Sequence, residues 1–291
     1  MMKQKKAKLM LSVSMMIFGT IGVFTRNIAV SSGELALYRA VLAAALLLGY
    51  FIVTKQTIDL KAIKKELVLL LCSGVAMGIN WILLFEAYKH TTISAATLSY
   101  YFAPVIVTVA CPILFRERIT KKQGLCFVLS TIGLVLIIGF EGINSGSNHF
   151  LGIMLGLGAA LFYATVILLN KFIKNVEGIQ RTFLQFLSAI CILIPYVFAT
   201  GGMHLDTLPV NGWICLLIVG LIHTGITYCM YFSSLKELDG QEVAILSYLD
   251  PLVAVVISVT ILGEPLGILQ LFGGILILGC TLWNEIGSLQ D

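Results

Sequence analysis

Apolar stretches of about 20 residues, the length that crosses roughly 30 Å of hydrocarbon as a helix, follow one another along nearly the whole chain. They predict ten transmembrane helices, at 9–29, 33–53, 66–87, 93–115, 122–140, 150–170, 181–200, 211–233, 241–262 and 267–286. The breaks are polar or turn-forming: Ser31-Ser32-Gly33, Lys61 to Glu66, Lys89-His90-Thr91-Thr92, Arg116-Glu117-Arg118, Gly142 to Asn148, Lys174 to Gly178, Gly201-Gly202, Lys236 to Gly240 and Gly263-Glu264-Pro265. Connections this short make consecutive helices antiparallel neighbours. The predicted fold class is therefore an all-α membrane protein. The first run follows Lys3, Lys5, Lys6 and Lys8 and imitates a secretory signal, with Ala29 and Ser31 as a poor small-residue site. Cleavage there would remove one helix and spoil the repeat described below, so the run is read as a span.

Composition supports the same class. Of 291 residues 58% are hydrophobic and 12% charged, about half the roughly 25% charge of a soluble domain. The apolar excess must face lipid, and the bilayer is the first expected partner. With a net charge of only +4, and with the basic residues gathered on one side of a membrane as set out below, nucleic acid is not an expected partner. The seven Cys lie in apolar runs without C-x-x-C spacing and are read as small reduced core residues; no metal or cofactor is expected. The 19 Lys and Arg set the orientation, because cytoplasmic loops accumulate them. With the N-terminus inside, all but Arg26, Lys89 and Arg39 fall on the cytoplasmic side, which predicts that both termini are cytoplasmic.

Sliding the chain against itself by 147 residues aligns Gly78 with Gly225, Phe85 with Phe232, Lys89 with Lys236, Tyr101 with Tyr248, Pro104 with Pro251, Glu117 with Glu264 and Gln123 with Gln270. Proline is rare here, with six in the chain, yet two recur at this shift within helices four and nine. The division is into residues 1–145 and 146–291, five helices each. An odd number of spans turns the second copy over in the membrane, the inverted-repeat plan of secondary transporters.

These features resemble a known family. The tandem five-helix halves, Phe115-Arg116-Glu117 and Leu262-Gly263-Glu264-Pro265 after the fourth helix of each half, Pro104 and Pro251, and Arg39 in helix two look like the EamA-like branch of the drug/metabolite transporter superfamily. The resemblance covers essentially the whole chain. It implies a ten-helix carrier of small metabolites, amino acids or drugs, often an exporter, and says little about which one. Arg116 before Glu117 departs from the small-Gly-Glu pattern usual in that family.

Asp250, directly before Pro251, is the deepest carboxylate in the chain. An Asp at a helix centre costs roughly 2.5–3.5 kcal/mol on insertion scales, so it should face the interior and meet a partner or water. It is a candidate for binding a proton or the cationic group of a substrate; a neutral carboxyl bonded to a neighbouring helix is the alternative. His223, near the centre of helix eight, is a second candidate: it either packs or forms a proton relay with Asp250. Asn80, Trp81, Tyr101, Tyr163 and Tyr248 occupy helix middles and are the favoured cavity residues, drawn from a wider set with Phe18, Phe85, Tyr100, Tyr228 and Tyr231. Aromatic walls suit apolar or cationic ligands. Pro104 and Pro251 each remove a backbone donor and are expected as kinks, hinges or cavity wall. Arg39 is expected to be structural, either anchored by an anion or carbonyls or snorkelling to the outer interface. Glu117 and Glu264 are expected to cap or tether helix ends, and Gly74-x-x-x-Gly78 and Gly152-x-x-x-Gly156 to let helices pack closely.

The leading expectation is a secondary-active carrier, with no catalytic residues, in the plasma membrane (the inner membrane if prokaryotic). It would move a small-molecule substrate by alternating access, in exchange for a proton or counter-solute, as a monomer or homodimer. No G-x-x-x-x-G-K-[ST] loop is present to use ATP. An intramembrane hydrolase lacks its motifs: Leu71-Cys72-Ser73-Gly74 has no leading Gly. A channel or a non-transporting scaffold is the alternative, although no filter sequence appears.

Overall fold

The computed structural model of the protein describes residues 2–55, 60–115, 120–144, 147–176, 178–235, 237–238, 243 and 246–288. All regular structure among them is helical: α1 Met2–Gly19, α2 Ile21–Thr25, α3 Ser32–Thr54, α4 Leu60–His90, α5 Ile93–Tyr100, α6 Ala103–Phe115 and α7 Lys121–Asn144. There follow α8 Ser147–Phe172, α9 Gly178–Ala199, a 3₁₀ turn Leu205–Thr207, α10 Val210–Leu217, a π-helical stretch Ile218–Ile226, α11 Thr227–Leu235, α12 Leu249–Thr260 and α13 Ile268–Ser288. Seven helical segments among the described residues are long and apolar enough to cross a membrane: Lys3–Thr25, Ser32–Thr54, Ile63–His90, Ile93–Ala110, Asn148–Phe172, Gly178–Ala199 and Val210–Ser234. Leu249–Thr260 and Ile268–Trp283 are shorter apolar helices. The protein is thus a multi-pass, all-helical membrane protein.

Lipid cannot satisfy backbone polar groups, so only helices can form the lipid-facing wall. Large apolar side chains such as Val53, Val68, Ile52 and Phe198 point outward. The main core gathers on the inward faces of α3, α4 and α9, around Leu47, Phe85, Phe186 and Leu193. A second cluster joins α5, α6, α8 and α13 through Ala95, Ala103, Ala160 and Ile277. Cys72 and Cys191, expected in the core, are instead exposed on the lipid-facing surface.

The packing partners follow a pattern. α4 lies against α8 and α9; α3 against α9 and the π-helical stretch; α1 against α11 and α12; α8 against α5 and α6; α5 against α12; and α7 against α13. Small residues set the closest crossings. A Cβ placed on Gly74 would stand 2.5 Å from the Gln185 carbonyl oxygen of α9, and one on Gly152 2.7 Å from the Thr91 side chain. Gly19 packs the end of α1 against the backbone at Asp250, with its notional Cβ 2.5 Å from that carbonyl oxygen.

Helix ends are closed by side chains. Ser31 caps α3 in a capping box with Glu34: the Glu34 N–H donates to Ser31 Oγ at 3.1 Å and the Ser31 N–H to Glu34 Oε2 at 3.0 Å. Thr92 caps α5, accepting from the Ala95 N–H at 3.1 Å. At the other end of the bundle Glu66 of α4 accepts from the Lys174 and Asn175 N–H groups, at 2.9 and 3.1 Å, tying α4 to the α8–α9 connection.

Gly74→Leu should destabilise the bundle by about 1–3 kcal/mol or more, the usual cost of overpacking, because the obstacle is partly backbone. Gly124→Leu should be nearly neutral, since nothing lies within 4 Å of a Cβ there. Apparent melting temperatures in detergent check this; equal values would mean the α4–α9 crossing is not tight.

Candidate functional site

Two helices are interrupted where the proline pattern recurs. α5 ends as the Tyr101 N–H donates to the Thr97 carbonyl at 2.9 Å and the Phe102 N–H to the Ser99 carbonyl at 3.1 Å. The Phe102 carbonyl then accepts from Val105 and Ile106, at 3.0 and 3.1 Å, and starts a new turn. Pro104 therefore sits in the first turn of α6, where its missing N–H costs no ladder bond. α12 likewise begins after Tyr248, with Pro251 in its first turn. The expected mid-helix kinks are thus breaks beside two aligned tyrosines, 101 and 248.

The breaks face a central cavity of about 460 Å³. Its walls are mainly aromatic. Tyr100 stacks on Tyr163 with centroids 5.2 Å apart, and Phe18 meets Tyr228 edge-on at 5.3 Å. Asp250, in the first turn of α12, accepts a hydrogen bond from the Tyr101 hydroxyl at 2.7 Å. Asp250 and Tyr101 both line the cavity, so the two interruptions meet in one polar pair.

Arg39 of α3 also reaches this cavity. It is only 4% exposed. Its guanidinium carbon lies 4.5 Å from the Trp81 ring centroid and 5.2 Å from that of Phe85, both cation–π distances. Its Nε donates to Thr224 Oγ1 at 3.0 Å. That hydroxyl donates in turn to the Val219 carbonyl five residues back, at 2.8 Å, an acceptor that the widened turns of Ile218–Ile226 bring within reach. Such π-helical turns gather at functional sites.

Of the favoured cavity residues, Trp81, Tyr101, Tyr163, Tyr248 and Asp250 line the cavity, as does Pro104. The others lie elsewhere. Asn80 is buried between helices, its Nδ2 donating to the Ala159 carbonyl at 2.6 Å. Pro251 is buried behind the wall. His223 shares a hydrogen bond with Thr20 Oγ1 at 2.8 Å, rests edge-on against Phe24 and makes no bond to Asp250. It thereby links the α1–α2 break to the π-helical stretch. Arg39 does not snorkel to an interface. Tyr88 and Thr97 line the cavity without having been singled out. Their signal is spacing: Trp81, Leu84 and Tyr88 stand at i, i+3 and i+7 on one face of α4, and Thr97 stands three residues before Tyr100 on α5.

Beside the cavity, behind Tyr88, a polar clasp forms where α2, α4, α5 and α12 meet. Glu264 forms an ion pair with Arg26 and accepts from the Ser258 hydroxyl. Its Oε2 also accepts from the Ile93 N–H at 2.8 Å, filling an otherwise unpaired donor at the start of α5. Arg26 Nη2 donates to the Thr91 and Tyr88 carbonyls, at 2.9 and 3.3 Å. Glu86 nearby takes the Ser32 hydroxyl at 2.5 Å and lies 3.4 Å from Lys89. Toward the opposite end the cavity runs down past Ile167, Tyr231 and Val243. Glu117, the counterpart of Glu264 in the repeat, lies outside the described residues.

The EamA-like transporter family model matches the chain twice, at residues 5–139 and 150–284. An uncharacterized transporter of Bacillus subtilis, YxxF, is 34% identical over 281 residues, covering 94% of this chain and 89% of that protein. An uncharacterized transporter of Archaeoglobus fulgidus is 27% identical, covering 98% of both. A protein of Salmonella typhimurium named a probable amino-acid metabolite efflux pump is 28% identical over 184 residues, 60% of each chain. A crystal structure described only as that of a protein superposes with a TM-score of 0.65 at 15% identity, covering 94% of this chain and 95% of that one, a likeness of fold alone. These relatives are transporters by name, which points away from a catalytic role. By the double match of the family model and the near full-length relative, the chain belongs to the EamA-like transporter family.

Proposed function

We propose that the protein is a secondary-active exporter of a small organic solute, an amino acid, related metabolite or drug, working by alternating access. The carrying observation is a cavity bounded by two interrupted helices, with a polar clasp beside it at one end and none among the described residues at the other. Broken helices at membrane depth belong where they line a cavity, and paired breaks at corresponding positions are the mark of a transporter site.

The reading includes ten spans arranged as two inverted halves, 1–145 and 146–291, with both termini cytoplasmic. The packing partners support it. Exchanging the halves turns the α4–α8 contact into α1–α11, the α4–α9 contact into α3 with the π-helical stretch, and the α8 contacts with α5 and α6 into α1–α12. The contacts α3–α9, α5–α12 and α7–α13 map onto themselves. Two halves related in this way can exchange shapes, which gives two states of similar energy. With the basic residues inside, the clasp of Arg26 and Glu264 is the outer door, shut here, and the cavity belongs to an inward-facing state. The plasma membrane is the proposed location.

Asp250 is the group proposed to take up a proton or a substrate cation in each cycle. Asp250→Asn in proteoliposomes should cut the transport rate at least about tenfold and flatten its pH dependence, as loss of a positioned proton site does. An unchanged rate and pH profile would remove Asp250 from the mechanism. Flux should saturate and accelerate when solute is supplied on the opposite face. Conductance of many ions per opening would instead make the protein a channel.

Opening the outer door should not need the solute if the clasp is weakened. Glu264→Gln removes the ion pair to Arg26, so an impermeant maleimide added outside should label Tyr88→Cys several-fold faster in this background. Equal labelling would show that the clasp does not hold the door.

A further inference from the structure

We infer that the cavity takes its solute by a carboxylate, with Arg39 as the cation that receives it. This rests on the carrier reading and adds the chemical class of the solute.

Arg39 is a charged group held at cavity depth in a bundle that lipid surrounds. Burying a charge there is costly unless it is paired. Among the described residues no carboxylate lies within ion-pair distance of Arg39. Asp250, the other charged residue of the wall, is engaged by the Tyr101 hydroxyl instead. A guanidinium carries five N–H donors. One of them, on Nε, is spent on Thr224; those on Nη1 and Nη2 have no hydrogen-bond acceptor among the described residues. The rings of Trp81 and Phe85 hold the group in place without neutralising it.

Support on one edge and open donors on the other is the arrangement that presents a guanidinium fork. Two parallel N–H groups match the two oxygens of a carboxylate, a geometry an ammonium cannot copy. Around this fork the wall is aromatic, so the body of the solute should be apolar or aromatic. The volume of about 460 Å³ falls in the usual range of roughly 300–1,000 Å³ for small-molecule sites. Arg39 is thus a binding residue as well as a packing one. A free organic acid and an α-amino acid share this carboxylate and differ in whether an ammonium group reaches toward Asp250.

The test uses the full-length protein in nanodiscs and four probes of one shape: 3-phenylpropanoate, 3-phenylpropanamide, phenylalanine and phenethylamine. Ligands of the native state raise its apparent melting temperature. The carboxylates should shift it and the neutral amide should not, a comparison that needs no variant. A shift from 3-phenylpropanoate alone identifies a free acid as the solute type; a larger shift from phenylalanine identifies an amino acid. Arg39→Gln should weaken carboxylate binding at least about tenfold, while Arg39→Lys, which keeps the charge but not the fork, should retain part of it. Equal shifts from the acid and its amide, or none from either carboxylate, would overturn the inference and leave the carrier reading standing. The carrier reading fails separately: carboxylates that bind through Arg39 but show no counterflow in proteoliposomes would make the protein a binder rather than a transporter.

Discussion

In lipid, every backbone N–H and C=O and every charge must find its partner inside the protein or in a water-filled cavity. That constraint explains where the irregular parts of this structure lie. The turn at Tyr101 and Phe102, the start of α12 after Tyr248 and the Ile218–Ile226 stretch all border the same central region. The α1–α2 break at Thr20 lies between Phe18 and Ile21 of the cavity wall; elsewhere among the described residues the spans are regular, and their outward faces carry aliphatic side chains. Irregular backbone is thus confined to the place where a solute could use it, and the rest of the bundle is scaffold.

The clasp follows from the same constraint. Glu264 is nearly buried, and a lone carboxylate there would be expensive. Arg26, the Ser258 hydroxyl and the first N–H of α5 surround it. The carboxylate also lies at the N-terminus of α5, where the helix dipole favours negative charge. Four chain segments are joined through one side chain. Its strength depends on burial, since an ion pair of the same geometry on a wet surface contributes about 0–1 kcal/mol.

Much of this was legible in the sequence, because hydrophobic run length is set directly by the bilayer. The class of fold, the approximate place of most helices among the described residues and the pairing of Tyr101 with Tyr248 and Pro104 with Pro251 could be read that way, whereas the starts of α1 and α4 lie six or seven residues before the expected ones. Asp250 stood out for the same reason, as a carboxylate where lipid forbids one. What could not be read was rotation. Asn80 and Trp81 are adjacent in sequence, yet one bonds the backbone of α8 and the other faces the cavity. His223 and Asp250 lie at plausible depths for a relay, but the turns of the π-helical stretch aim the imidazole at Thr20. Arg39 illustrates the limit most clearly. Its depth is compatible with both anchoring and snorkelling, and only the positions of Trp81, Phe85 and Thr224 reveal that it turns inward.

Tyr88 belongs to both halves of this picture. Its side chain forms part of the cavity wall, while its carbonyl is one of the groups that Arg26 grips. Under the proposed carrier reading, lodger and lock share a residue: a guest that displaced the ring would perturb the oxygen on which the bolt rests. If the guest's arrival loosens the bolt, thermodynamic reciprocity requires that drawing the bolt loosens the guest by the same factor.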